Sequence, residues 1–232
     1  MNVQFMKKIS LLLFSIVFVF AAEAQVTLGL RLSPTYCMNR VKDLNNADNI
    51  SFSNNGAGLR FAFGPSIDFK FGDNYAFSTG AWYLSSRAGL STLTTDLSTN
   101  IQTSYSEVVS IQSIQVPITF KAFTNEIATD VKLYFQLGGL ATINFYEKYK
   151  ESNPALVGSY DNKYNIVDLS LYMGAGVSYN IGESNAIFAG VYYNRGLMNL
   201  FDGSTVPGTT EKYKDAAKYN MDLIGLECGV TF

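Results

Sequence analysis

Three acids, Asp68, Asp168 and Glu227, lie inside runs of alternating hydrophobicity, and the 232-residue chain has no histidine. Activation of a serine or a water usually rests on a histidine base. Hydrolysis here would need a carboxylate pair or a lysine base instead. Arg31, Lys70 and Lys132 share the strand faces that carry the acids, so ion pairing is their expected role. Unpaired charges in a narrow interior are costly to desolvate. No phosphate loop, metal cluster or dinucleotide fingerprint occurs. We therefore expect no enzyme, and assign no catalytic, cofactor-binding or metal-ligating residue.

Cys37 and Cys228 are the only cysteines. An oxidising compartment would permit a disulfide. The strand pattern argues against one, because it sets the two sulfurs at opposite heights of neighbouring strands, on the order of 20 Å apart. Cys228 reads as a small, lipid-facing hydrophobe.

The elements that position these residues repeat with period two. At the end of the sequence, Ile224, Leu226, Cys228 and Val230 alternate with Gly225, Glu227, Gly229 and Thr231, and Phe232 follows. A lipid-facing strand with a terminal aromatic at the membrane interface fits this pattern. Seven similar runs precede it. Val26, Leu28, Leu30 and Leu32 form the apolar face of the first, and Phe61, Phe63, Pro65, Ile67, Phe69 and Phe71 that of the second. The third, Tyr75 to Arg87, is less clean, with Trp82 and Leu84 out of phase with Phe77, Ala81 and Tyr83. In the fourth, Ile114, Val116, Ile118 and Phe120 share a face, whereas Val109 and Ile111 have the opposite phase. That predicts a bulge near Gln112, or a strand leaving the bilayer. The fifth (Val131 to Phe145), sixth (Val167 to Asn180) and seventh (Ile187 to Asn194) are regular, and the seventh has aromatics on both faces.

Met1 to Ala24 has the layout of a secretory signal. Lys7 and Lys8 precede the apolar run Ile9 to Phe20, and Ala22-Glu23-Ala24 fits a cleavage site. The run is short of the ~20 residues of a spanning helix. The expected domains are thus a signal peptide, residues 1–24, and one barrel, residues 25–232, about 208 residues and a plausible all-β size. The mature chain is mildly acidic, which gives no reason to expect nucleic acid.

Gly72-Asp73-Asn74, Thr124 to Thr129 and Gly182 to Asn185 read as tight turns. Thr35 to Leu59, Ala88 to Glu107, Glu147 to Asn165 and Asn199 to Lys218 read as long polar loops with mobile centres. Short turns alternating with long loops predict an eight-stranded antiparallel up-and-down transmembrane β-barrel in a bacterial outer membrane, both termini periplasmic. A soluble lipocalin-like barrel is the competitor, and it needs the apolar faces inside. The other faces carry less charge than a water-exposed surface should.

The fourth strand, with Val116-Pro117-Ile118 and Lys121, resembles that of the PorT-like outer-membrane β-barrels of Bacteroidota. The Gly80-containing third strand, Gly174-Ala175-Gly176-Val177 and Tyr193-Asn194-Arg195-Gly196-Leu197 are also similar to that family. The resemblance implies the barrel fold, the outer membrane and, from the family's namesake, a link to protein secretion. It assigns no activity.

Two functions remain open. The first is a plugged barrel with a structural or interaction role, its lumen filled by Arg31, Lys70, Tyr134, Gln136, Tyr172 and Glu227, because eight strands leave room for side chains only. Tyr36, Phe52, Tyr105, Tyr149, Tyr160 and Phe201 would meet partners or form girdles. The second is a small-solute porin. Expected partners are outer-membrane lipid and envelope or secretion-apparatus proteins, with the chain itself a monomer and no cofactor.

Overall fold

The computed structural model describes residues 25–43, 50–95, 99–151, 161–182, 185–205, 212–213 and 217–232, and among these there is no helix. The strands are β1 (Gln25–Cys37), β2 (Arg40–Asp43), β3 (Ile50–Asn54), β4 (Gly58–Phe71) and β5 (Tyr75–Gly80). Then come β6 (Trp82–Thr95), β7 (Gln102–Phe123), β8 (Val131–Glu151), β9 (Asp161–Tyr164) and β10 (Val167–Asn180). The last are β11 (Ala186–Gly196), β12 (Phe201–Thr205), β13 (Lys212–Tyr213), β14 (Ala217–Asn220) and β15 (Asp222–Thr231). The expected signal peptide and the centres of the long loops lie outside the described residues.

Eight antiparallel staves close a ring: β1, β4, β5 with β6, β7, β8, β10, β11 and β15, which pairs back onto β1. β5 and β6 form one stave. Ser66 pairs with Gly80 and Phe63 with Tyr83 in the same register. The ladder thins between them because Pro65 has no N–H to give, although its carbonyl still accepts the Ala81 N–H at 3.2 Å. At the seam Leu30 opposes Val230 and Leu32 opposes Cys228. Phe232 continues the seam, exchanging backbone bonds with Leu28 at 2.7 and 3.2 Å. Both ends of the barrel chain and the three short connections therefore lie at one rim, the turn end. The other rim is the loop end.

The ring is apolar outside. Val26, Leu28, Leu30 and Leu32 are exposed, while Thr27, Gly29, Arg31 and Ser33 are buried. This inverts the arrangement of a soluble protein, and it removes the lipocalin-like alternative. Two aromatic clusters lie on the outer face, on the staves from β4 to β8. Phe71, Tyr75, Phe77 and Phe120 cluster near the turn end, and Phe61, Phe63, Tyr83 and Phe145 cluster nearer the loop end. From Phe61 to Phe71 β4 rises about 33 Å along its axis. At the ~40° tilt usual for such strands, that is close to the ~25 Å apolar band of an outer-membrane barrel.

Several staves outrun that band. β7 has 22 residues and β8 has 21, about twice what a spanning strand needs. Much of what reads as long polar loop is therefore strand. β6 and β7 pair from Trp82–Gln115 up to Thr95–Gln102, and β3 adds to β6. The Ser91 and Ser106 hydroxyls, for example, meet across β6 and β7 at 2.6 Å. β14 pairs with β2, and β12 joins β9 to β13. Serine- and threonine-rich segments look like loop by composition, yet they ladder once a neighbouring strand projects above the membrane to pair with them.

The expected irregularity near Gln112 exists, with a different cause. The register shifts between Gln112–Tyr146 and Ser113–Asn144, so the extra residue is Phe145 on β8. β7 keeps its phase: Val109, Ile111, Ser113 and Gln115 are all buried. What changes is the filling of the barrel, from polar to apolar. Trp82 and Leu84 have the same explanation, because both point inward from an unbroken stave.

Candidate functional site: a blocked lumen

The lumen is closed at mid-height by residues from six staves. Arg31 (β1) and Glu227 (β15) form an ion pair, Nε to Oε2, at 2.8 Å, with side chains 4% and 2% exposed. Tyr134 on β8 donates its hydroxyl to Glu227 Oε1 and Tyr172 on β10 donates to Oε2, each at 2.7 Å. Arg31 Nη2 in turn donates to the Tyr172 hydroxyl at 3.3 Å. The guanidinium carbon lies 3.9 Å from the Trp82 ring centroid and 4.5 Å from that of Tyr192. Tyr172 and Tyr192 stack at 5.4 Å, and Tyr192 shares a 2.5 Å hydrogen bond with Thr35. Both carboxylate oxygens are satisfied and the cation lies between aromatic faces. A buried ion pair needs such company to persist.

Small inner-face residues make room for these rings. A Cβ at Gly176 or Gly190 would collide with the Tyr134 hydroxyl. The neutral inner face of β10 and β11 is therefore a socket.

Towards the turn end the lumen opens into a cavity of about 160 Å³. In its wall Lys121 pairs with Asp68 at 2.8 Å, and Asp68 also accepts from the Ser78 hydroxyl. Towards the loop end a polar tier comes first, in which Ser113 donates to Asn144 at 2.6 Å and Asn144 donates to the Asn165 carbonyl at 2.8 Å. An apolar core then seals the top, with Cys37, Leu84, Leu90, Val109, Ile111, Leu200, Phe201, Tyr219 and Leu223 all nearly inaccessible. Tyr219, on β14, accepts the Gly89 N–H at 3.0 Å. Burial pushes its phenol well above the ordinary range, which keeps it neutral. Asp222 anchors the rim. It accepts from Arg40, from the Tyr193 hydroxyl at 3.0 Å and from the Gly196 N–H at 3.0 Å.

The structure gathers most of the expected lumen residues, pairs Glu227 with Arg31 as expected, and departs from the expectation at the two aspartates. Arg31, Tyr134, Tyr172 and Glu227 meet in one cluster. Gln136 lies nearer the turn end, donating to Thr119 at 2.6 Å. Lys70 and Lys132 line the cavity, and among the described residues neither pairs with an acid. The partner of Asp68 is Lys121, because adjacent staves bring these two side chains together. Asp168, expected to pair, meets no cation among the described residues; the backbone N–H groups of Leu169 and Met198 favour its charge, and its Oδ1 is buried without a hydrogen-bond partner. Both cysteines are free, Cys37 buried and Cys228 exposed on the outer face. Of the aromatics expected to meet partners, Tyr36 is exposed. Phe52 packs against the apolar core and Phe201 belongs to it, so Phe201 is corrected to a core residue. The side chains of Tyr105, Tyr149 and Tyr160 lie outside the described residues. Trp82 and Tyr192 are members of the plug that the expected filling omitted. The out-of-phase position of Trp82 and the aromatic on each face of the seventh strand were their signals.

Residues 20–202 match the family described as Outer membrane protein beta-barrel domain, well over half of the chain. No curated protein matches. Among solved structures, the outer membrane protein OprG from Pseudomonas aeruginosa is similar at 12% identity and TM-score 0.54, covering 90% of this chain and 96% of that one. Neisserial surface protein A is similar at 14% identity and TM-score 0.45, covering 90% and 97%. The N-terminal β-barrel domain of Pseudomonas aeruginosa OprF is similar at 10% identity and TM-score 0.39, covering 90% and 100%. At these identities the likeness speaks to fold alone. The apolar outer face, the closed eight-stave ring and the family match agree: this chain belongs to the outer membrane protein β-barrel domain family.

Proposed function

We propose that this protein is a plugged outer-membrane barrel with a structural or interaction role in the cell envelope, working through its loop end. The observation that carries this reading is the Arg31–Glu227 cluster, which fills the lumen at mid-height from six staves. In this reading the turn end, with both termini, faces the periplasm, and the chain is a monomer. The raised wall of β6, β7 and β8 and its apolar core give the loop end a rigid platform. Envelope proteins are the partners that suit such a platform, among them the secretion apparatus that the PorT-like resemblance implies. Catalysis is not part of the reading, because Glu227 has both oxygens engaged and no histidine is available to act as base.

The small-solute porin is the alternative within the same fold. It needs a continuous water path, and both the aromatic plug and the apolar core would have to move to give one. Planar-bilayer recording separates the two. The plugged reading expects no stable open steps from the purified barrel, and steady single-channel steps would sink it. Crosslinking at the loop end of intact cells, followed by purification, tests the partner. Recovery of the bare barrel at every position tried would remove the interaction role.

A further inference from the structure

The turn-end cavity carries chemistry that the plug does not use. Its floor is the Arg31–Glu227 cluster and its mouth lies among the short turns, at Asp73 and Gly182. Trp82, 2% exposed, forms part of the wall, and its indole N–H is buried with no hydrogen-bond partner. Lys70 and Lys132 line the same space half-buried, and among the described residues neither has a carboxylate partner. Two of the three acids of the cavity are engaged elsewhere, and the third, Asp73, stands exposed at the mouth. Asp68 is taken by Lys121 and Ser78, and Glu227 by Arg31 and two tyrosines. Inside the mouth, the charged side chains left without an opposite partner are thus the two lysines. Much of the remaining wall is neutral and polar, with Thr27, Ser66, Gln136, Ser178 and Asn180, and one side is aromatic, where Phe188 and Tyr134 pack edge to face at 6.3 Å.

We propose that this cavity is a binding site for a small aromatic or cyclic carboxylate entering from the turn end. The carboxylate would lie between Lys70 and Lys132, and its ring against Phe188 and Tyr134. The size fits: an apolar cavity of about 150 Å³ accepts benzene, and this one measures about 160 Å³. The site is independent of the barrel's role at the loop end, since it lies on the opposite side of the plug.

Trp82 is the only tryptophan in the chain, so its fluorescence reports on this wall alone. The test titrates the purified full-length barrel, in zwitterionic nanodiscs, with benzoate, with neutral benzamide and with inorganic phosphate. Benzoate should give a saturable change in Trp82 emission and a matching calorimetric isotherm. Benzamide and phosphate should each bind at least about fivefold more weakly, the equivalent of one modest ion pair or one ring contact. Lys70→Gln with Lys132→Gln, checked for intact heat-modifiable migration, should weaken benzoate by a similar factor and leave benzamide unchanged. No saturable response to benzoate would overturn the proposal. So would benzamide binding equally well, phosphate binding equally well, or undiminished benzoate binding by the folded double variant.

Discussion

Arg31 on the first stave and Glu227 on the last form an ion pair at 2.8 Å across the seam where the barrel closes. In register Arg31 stands opposite Gly229, so the pair reaches diagonally over one pleat. One contact therefore does two things, locking the closing strands together and filling the lumen.

Removing one partner should cost far more than removing both. Arg31→Met or Glu227→Leu alone leaves a buried charge uncompensated and should destabilise the barrel by about 3–5 kcal/mol. The double variant should recover most of that loss, since apolar replacements of a buried pair are often neutral. Urea unfolding in lipid, run as a double-mutant cycle, reads the coupling. Additive losses would show that the two residues act separately.

Adjacent residues on β10 should respond oppositely to the same charge. Leu171 faces outward and Ser170 is buried in the lumen. Leu171→Arg should cost ~2–4 kcal/mol near the bilayer midplane. Ser170→Arg should fail, if it does, through overpacking, and a smaller Ser170→Asn should be tolerated. Equal losses for Leu171→Arg and Ser170→Asn in lipid vesicles would reverse the faces of this stave.

The loop-end core should be a local unit. Tyr219→Phe leaves the Gly89 N–H without its acceptor, a loss of about 1–3 kcal/mol. Amide hydrogen exchange should rise around Gly89 and β14 while β1 and β15 stay protected. Uniform deprotection of the whole ring would show that the core and barrel unfold together.

The closing seam makes Phe232 sensitive to charge. Its backbone completes the β1 ladder and the residue is 58% exposed. Phe232→Tyr should assemble normally, whereas Phe232→Asp should reduce the heat-modifiable, folded form in outer membranes without blocking export. The burial at stake is roughly 1.5–3 kcal/mol at an interface where aromatics are favoured. Wild-type levels of folded Phe232→Asp would dissociate this residue from barrel closure.

Membership of the two faces of most staves was legible in residues 25–232 because a period of two needs no tertiary information. Leu28, Leu30 and Leu32 against Gly29, Arg31 and Ser33 already separate two faces, and the short turns already set eight staves in order. Alternation alone does not say which face is inside, and burial in the structure decided that. Which acid meets which cation was not legible. Asp68 took Lys121 instead of Lys70 because partner choice depends on the stagger between staves, and alternation along a single strand carries no stagger. Height was also hidden. Val109 and Ile111 looked out of phase only because the inner face turns apolar above the plug, where segments distant in sequence, such as Leu200, Phe201 and Tyr219, fold over the rim. Composition marked those segments as loop, and the tertiary structure made them a core, because a strand that outruns the membrane leaves apolar surface that only its neighbours can cover.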